Sequence, residues 1–574
     1  MSSSIWRIGK DEAIGDRGMV AAKHPLAVGV GLDVLKRGGN AVDAAVSMAF
    51  ALGVVEPASG GLGGGGMMLI HQAGTGRTVA IDYAMDAPLA AGPATFELDA
   101  EGGAGPYGWP KVKDDANAVG YRAASVPGMV RGMELALGQF GTISLDGAIA
   151  PAIRFAEEGV SLDWLSALRL GSAMRTLSRF PATARIFLPG GFPIPPMDGG
   201  PAPARLVQSD LAATLRLIAR DGAAAFYRGP IARDIAGAMR ENGGLISEED
   251  LARYQATLFE DPIATDYRGD RVFAVPGACG GITALQALNV MEGFDLRSAG
   301  AGSLLDLHLQ AEAFRGAFAD RYRYVADPKQ VAVPWKGLLA RDYARARRDL
   351  IRADRAAAVV EPGDPWTFDD SGPGPARADT SAGRGGSGGS TTHLAVADRQ
   401  GNVVALTQTL VNNFGSGVVV AGTGVLLNNA MAWFDLVPGR PNSLASGKRG
   451  LNNMSPLLIL RDGRPFLAIG ATGGRRIIQA VTQVLLNVVD HGMSIQDAVA
   501  APRIDCSGPV VLVDSRVPAA VCSALEARGH RVRVAENLFT LAPFALPLGI
   551  LVEPGTGRFH AGVDPFRPAF AEGF

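Results

Sequence analysis

The sequence predicts a mixed α/β protein, helix-rich up to residue 390 and strand-rich over 391–574. Three observations predict it. Residues 211–218, 231–239 and 304–324 carry apolar side chains at helical spacing. Residues 392–410, 417–428 and 455–470 read as strands rich in Val, Leu, Ile and Thr. Between the two parts lies 354–390, the one long Pro/Gly/Ser/Asp-rich stretch, expected to be exposed and poorly ordered.

Length and composition set the frame. A chain of 574 residues suggests about three or four domains, although large single folds exist. Apolar residues make up 47% and charged residues 19%, enough for a large core. The formal net charge of −2 lacks the basic excess of nucleic-acid or membrane-surface binders, so neither partner is expected. Cys279, Cys506 and Cys522 have no metal-type spacing and read as small buried apolar residues, without a disulfide framework. The seven His are scattered, and no metal site or cofactor is expected. The opening MSSSIWRIGKDEAIGDRG has no apolar core of a signal peptide. The expectation is a soluble cytoplasmic protein, or a periplasmic or secreted one if a leader has been trimmed. The run 44–55 is too short to span a bilayer.

In chain order, 19–51 reads as two helices broken at Arg37-Gly38-Gly39-Asn40. Gly39 suits the end of the first and Asn40 the cap of the second. Gly61, Gly63 and Gly66 match G-x-G-x-x-G, but they follow a helix and precede a strand. A dinucleotide site needs strand, glycine turn, helix, so the block reads as close backbone approach instead. Residues 261–275 read as strand, turn, strand, and 477–489 and 495–500 as helices.

The stretch 381–394, SAGRGGSGGSTTHL, is the most informative. A Gly/Ser run ends at Thr391, which opens a hairpin of two strand-like segments. That suits self-cleavage. The Thr391 hydroxyl would attack the Ser390 carbonyl, and hydrolysis of the ester would free the Thr391 α-amine. Such a residue carries nucleophile and base together. The same stretch also suits a plain linker before an ordinary strand.

Across nearly its whole length the chain resembles the γ-glutamyltranspeptidase family of N-terminal nucleophile hydrolases. The resemblance rests on Gly18-Met19-Val20-Ala21, Gly38-Gly39-Asn40-Ala41-Val42-Asp43-Ala44-Ala45 and Leu62-Gly63-Gly64-Gly65-Gly66. It continues through Ser125-Val126-Pro127-Gly128, Tyr267-Arg268-Gly269 and Thr391-Thr392-His393. It ends on Leu426-Leu427-Asn428-Asn429, Met454-Ser455-Pro456 and Gly473-Gly474. Each motif is weak alone; their order and spacing are specific. The resemblance implies an αββα sandwich built from both halves. It implies a proenzyme cut between Ser390 and Thr391 into a large chain, 1–390, and a small chain, 391–574. It further implies Thr391 as nucleophile, Thr409 as its supporting hydroxyl and Gly473 and Gly474 as oxyanion donors. Losing one such donor costs about 10²–10³ in rate.

The chain departs from the family where a γ-glutamyl head would bind. Ala84 stands in the segment where the family has an Arg. Val411 replaces an Asn, Ala430 a Gln, Trp433 an Asp, and Asn452 and Asn453 a pair of Ser. A zwitterionic head is held by paired charges, so these losses remove that means of recognition. Trp433 offers a broad apolar face instead. Arg475 can be read as a carboxylate binder or as a surface ion pair. The segment 435–450 is a short lid, which favours water over other acceptors.

The expectation is therefore a self-processing N-terminal-threonine amidohydrolase acting on a small-molecule amide whose acyl group lacks the glutamyl head, as in cephalosporin acylases. A γ-glutamyl hydrolase or transpeptidase is the alternative, and a non-catalytic binding descendant a third. His393, two residues past Thr391, is read as a packing residue. The sequence leaves the oligomeric state open.

Overall fold

The computed structural model describes residues 8–196, 204–370, 389–538 and 543–574. Two seven-stranded sheets stack face to face. The first runs in the order Phe570–Gly573, Gly18–Ala22, Ser390–Asp398, Val403–Val411, Gly65–Gln72, Arg77–Tyr83, Thr257–Phe259. The second runs Ala13–Gly15, Phe559–Val563, Leu546–Val552, Arg464–Thr472, Leu457–Arg461, Asp270–Ala274, Ile263–Tyr267. Neighbouring strands in both are antiparallel.

Side-chain alternation sorts the layers. Along Ser390–Asp398, Leu394 and Val396 join the core beneath the helices Pro25–Lys36, Ala41–Val55 and Met129–Phe140. Ala395 and Ala397 turn the other way, to the inter-sheet core with Ala21, Ala405, Ala468 and Leu548. Small side chains there let the sheets approach closely. On the far side, Val272, Ala274, Leu457, Ile459, Leu467 and Ile469 pack under Gly281–Met291, Leu304–Tyr324 and Arg476–Val489. The result is the expected αββα sandwich. Leu394→Ala would leave a cavity in this core costing about 2–5 kcal/mol.

Local chemistry explains the helix that leads to the site. Asn40 caps Ala41–Val55 in a reciprocal box with Asp43. The preceding helix ends at Arg37, and Gly38, at φ +93°, takes the left-handed turn expected of Gly39. The helix Ala41–Val55 delivers Glu56 and Ser59 to the strand Ser390–Asp398.

Several expectations are corrected. The first helical piece begins at Pro25, because Gly18–Ala22 is a buried strand pairing with Ser390–Asp398. Residues 417–428 form only isolated bridges, such as Val419 with Leu426, because glycines 415, 417, 422 and 424 hold left-handed turns. The helix-rich and strand-rich parts are not separate: Gly18–Ala22, Gly65–Gln72, Arg77–Tyr83 and Thr257–Phe259 complete a sheet centred on Ser390–Val411. Of the expected linker, 371–388 lies outside the described residues. Its start is tied down: Gly363 donates to Asp320 and its carbonyl accepts from Tyr324. Its end, Ser390, is a buried strand residue.

Candidate active site

Thr391 pairs with Thr409 and His393 with Thr407 across the two central strands. By strand parity all four face the second sheet. The register slips between Ser390 and Thr391, since Ser390 pairs with Val411 and Leu410 is the extra residue. This bulge aims the Ser390 carbonyl at a side chain instead of the ladder. The Thr391 hydroxyl donates to Thr409 Oγ1 at 3.4 Å, and Thr409 donates in turn to the Ser390 carbonyl. Thr409 also accepts from the Val411 N–H at 2.7 Å. One hydroxyl thus links the prospective nucleophile to the carbonyl preceding it.

Val411 sits at φ +87°, a strained conformation for a β-branched residue, costing about 1–3 kcal/mol. The Thr409 hydroxyl on its N–H and the Tyr107 hydroxyl on its carbonyl, at 3.3 Å, hold it there. Strain is stored directly beside the Ser390–Thr391 bond.

His393 occupies the inter-sheet space. A Cβ at Gly470 would lie 2.1–2.5 Å from the imidazole ring, so the opposite strand needs glycine there. Nδ1 shares a hydrogen bond of 2.8 Å with Thr407. Burial pushes the ring down to about 3, which keeps it neutral and makes it a poor base. Its role is packing.

Gly473 and Gly474 lie at φ +136° and +65°, where side chains are disfavoured, at the turn between Arg464–Thr472 and Arg476–Val489. A Cβ at Gly473 would meet Ala545 at 2.8 Å. Gly389 packs against this pair: its Cβ would fall 2.5 Å from Gly474 Cα and 2.6 Å from Gly474 N. The chain just upstream of Ser390 therefore covers the glycine turn.

Ala84, Val411, Ala430 and Trp433 belong to one buried apolar cluster, with Tyr107, Trp109 and Met454. Asn452 and Asn453 border it but are occupied. Asn452 Nδ2 donates to the Ala278 carbonyl at 2.9 Å, and Asn453 Oδ1 accepts from Arg321 at 3.1 Å. Arg475 is buried, which rules out a surface ion pair. It donates to the Tyr322 hydroxyl at 3.1 Å and the Tyr107 carbonyl at 3.4 Å. Burial works against its charge, and Tyr322, Asp505 and Tyr107 together favour it, so its pKa is raised.

The segment following Trp433 is stapled down. Lys448 Nζ donates to the Ser443 carbonyl at 2.9 Å, and Ala87 N–H to the Lys448 carbonyl at 2.8 Å. Arg449 pairs with Asp82 at 2.6 Å and with Asp86 at 2.7 Å.

Sequence reasoning missed Tyr107, Trp109 and Tyr322, and a buried charged group on the other face of the strand. There Lys23 Nζ donates to the Thr391 carbonyl at 3.0 Å. Ser59 Oγ lies 2.8 Å from Ser390 Oγ and donates to Glu56 at 3.0 Å. Arg169 donates to both Glu56 and Ser59 at 3.0 Å, and Lys23 is ion-paired with Glu56. The available signal was a lysine next to an apolar strand, in Ala21-Ala22-Lys23-His24.

The model of the family described as gamma-glutamyltranspeptidase matches residues 27–573. The chain belongs to the γ-glutamyltranspeptidase family. It is 42% identical to the acylase ACY 1 proenzyme of Pseudomonas sp. (strain SE83) over 540 residues, 93% of this chain and 91% of that one. It is 38% identical to the glutathione hydrolase proenzyme of Bacillus subtilis (strain 168), over 91% of this chain and 86% of that one. Among solved structures, the cephalosporin acylase from Bacillus halodurans superposes with a TM-score of 0.85 at 30% identity, covering 100% of this chain and 99% of that one. Membership makes the chain a self-processing amidohydrolase or acyltransferase, made as a precursor of two subunits. No helix among the described residues is long and apolar enough to cross a membrane.

Proposed function

We propose that the chain cuts itself between Ser390 and Thr391, giving 1–390 and 391–574, and that Thr391 then cleaves an amide whose acyl group lacks the α-amino acid head. In processing, Thr391 Oγ1 attacks the Ser390 carbonyl carbon and Thr409 stabilises the developing oxyanion. The C–N bond breaks, Thr391 N takes the proton, and water hydrolyses the resulting ester to leave the Ser390 carboxylate. Release of the new terminus carries Gly389 off the glycine turn, so the site opens only after the cut.

In turnover the freed α-amine takes the Thr391 hydroxyl proton as Oγ1 attacks the substrate carbonyl, and passes it to the leaving amine. The N–H groups of Gly473 and Gly474 receive the oxyanion. Water then hydrolyses the acyl-enzyme. The stapled segment after Trp433 supports hydrolysis, since it is not built as a flap that swings over the intermediate.

The observation carrying the substrate reading is the apolar wall at the positions that differ from the family's charged and polar head-binding residues. Ala84, Ala430 and Trp433 supply no partner for an α-amine. Arg475, held through Tyr107 and Tyr322, supplies one for a terminal carboxylate. A glutaryl-type acyl group fits both. The γ-glutamyl reading has the glutathione hydrolase names of several relatives behind it, but not the pocket residues.

Intact-mass analysis of wild type and Thr391→Ala tests the nucleophile. Wild type should yield two chains parting at Ser390–Thr391, and the variant one inactive uncut chain. A variant processed normally would end the assignment.

A further inference from the structure

The group formed by Lys23, Glu56, Ser59 and Arg169 is not used by the mechanism above. All four side chains are buried. They sit on the helix-facing side of Ser390–Asp398, opposite the face that carries the Thr391 and Thr409 side chains. Burying charge this deeply costs several kcal/mol per ion unless function or pairing offsets it. Here two cations face one carboxylate, so pairing alone leaves a positive charge over.

That charge touches the site at a particular atom. Lys23 Nζ donates to the carbonyl of Thr391, not of Ser390. The processed bond lies on the other side of Thr391, so this contact survives the cut. The contact of Ser59 with Ser390 leaves with the large chain's terminus. After processing, Lys23 thus still holds the first residue of the new chain from the large-chain side, one backbone unit from its α-amine.

We propose that Lys23 is a positioning residue of the mature nucleophile: it anchors the Thr391 carbonyl, and its charge holds the adjacent α-amine in the free-base form. The inference rests on Thr391 being the amine-bearing nucleophile. An α-amine ordinarily titrates near 8 and would be largely protonated at neutral pH. A cation beside it disfavours the second positive charge and lowers that value. Glu56, Ser59 and Arg169 hold Lys23 in place. Burial lowers Lys23 to about 8, and Glu56 limits the fall. The two amines therefore titrate as a coupled pair.

The other charges facing the group are accounted for. Asp163, capping the helix Trp164–Leu177, acts on Lys23 more weakly than Glu56 or Arg169. His24 is lowered by burial. Arg567 faces Arg169 and is opposed by Asp564 and Asp514. His393, on the opposite face, is neutral.

The test is the pH profile of kcat/KM on glutaryl p-nitroanilide for Lys23→Met, Lys23→Arg and Arg169→Met, each checked by intact mass. Lys23→Met should process, keep KM within about twofold, and move the acidic limb up by about one pH unit. Arg169→Met should move it up less. Lys23→Arg should hold the limb at or below the wild-type position, which a loss of packing would not do. An unmoved limb in Lys23→Met, or equal movement in Lys23→Arg, overturns the proposal. So does an uncut chain in both Lys23→Met and Arg169→Met, which would make the cluster a processing element. Thr391→Ala separates the two readings: if it processes or turns over, the nucleophile assignment fails whatever Lys23 does.

Discussion

Two buried arginines flank the altered substrate positions, and they differ in what faces them. Arg449 is matched by two carboxylates, Asp82 and Asp86, and also reaches the Gln255 carbonyl at 3.1 Å. Burial opposes its charge, and Asp82 and Asp86 outweigh burial. Arg475 meets a tyrosine hydroxyl and a backbone carbonyl. The first arginine is neutralised within the protein and welds the segment after Trp433 to the strand Arg77–Tyr83. The second donates to neutral groups, and Asp505 is the carboxylate that supports its charge. An arginine near a cleft is therefore informative only through its partners.

Substitutions that treat the two alike break this comparison. The largest effect is expected from Arg449→Met, which strands the buried Asp82 and the half-buried Asp86 and should cost about 3–5 kcal/mol of stability, read by denaturant unfolding. A loss under about 1 kcal/mol would show that the triad is not holding the segment. Arg475→Met should lower kcat/KM on a glutaryl amide about 10²-fold and leave a neutral straight-chain acyl amide within a few-fold. Equal losses on both substrates would make Arg475 structural.

His393 sharpens the contrast between buried groups that carry charge and one that does not. Its folded value, about 3, lies below the ordinary 6.5. The unfolded chain therefore binds more protons between these limits, and stability falls as pH drops through that window. At about 1.4 kcal/mol per unit the loss reaches several kcal/mol. His393→Asn should flatten the wild-type acid limb of stability against pH; parallel curves would contradict the burial argument. The smallest effect is expected from Ala84→Arg with Trp433→Asp. It should raise γ-glutamyl turnover by a few-fold only, since Val411, Ala430 and the asparagines stay unchanged.

The layered fold was legible wherever periodicity was strong. The two central strands, the cap at Asn40 and the helix after the glycine pair all fell near their expected places. Gly18–Ala22 was missed because a fully buried strand has no alternation to distinguish it from a helix. Residues 417–428 were misread because β-branched composition does not reveal four left-handed glycines. At the site, Thr391, Thr409 and the glycines came from motif order. Lys23, Arg169, Tyr107 and Tyr322 did not, because contacts across 113 to 368 residues of sequence leave no local pattern. The bulge at Leu410 was equally hidden, although it sets the geometry of the Ser390 carbonyl.

The central claim is that the acyl pocket has exchanged a zwitterionic head for a carboxylate on an apolar chain. It is tested most directly by kcat/KM of freshly purified two-chain protein on glutaryl and γ-glutamyl p-nitroanilides, which differ only in the α-amine. Turnover of the glutaryl anilide exceeding that of the γ-glutamyl anilide by about 10²-fold or more is predicted. Preference for the γ-glutamyl anilide would contradict the account.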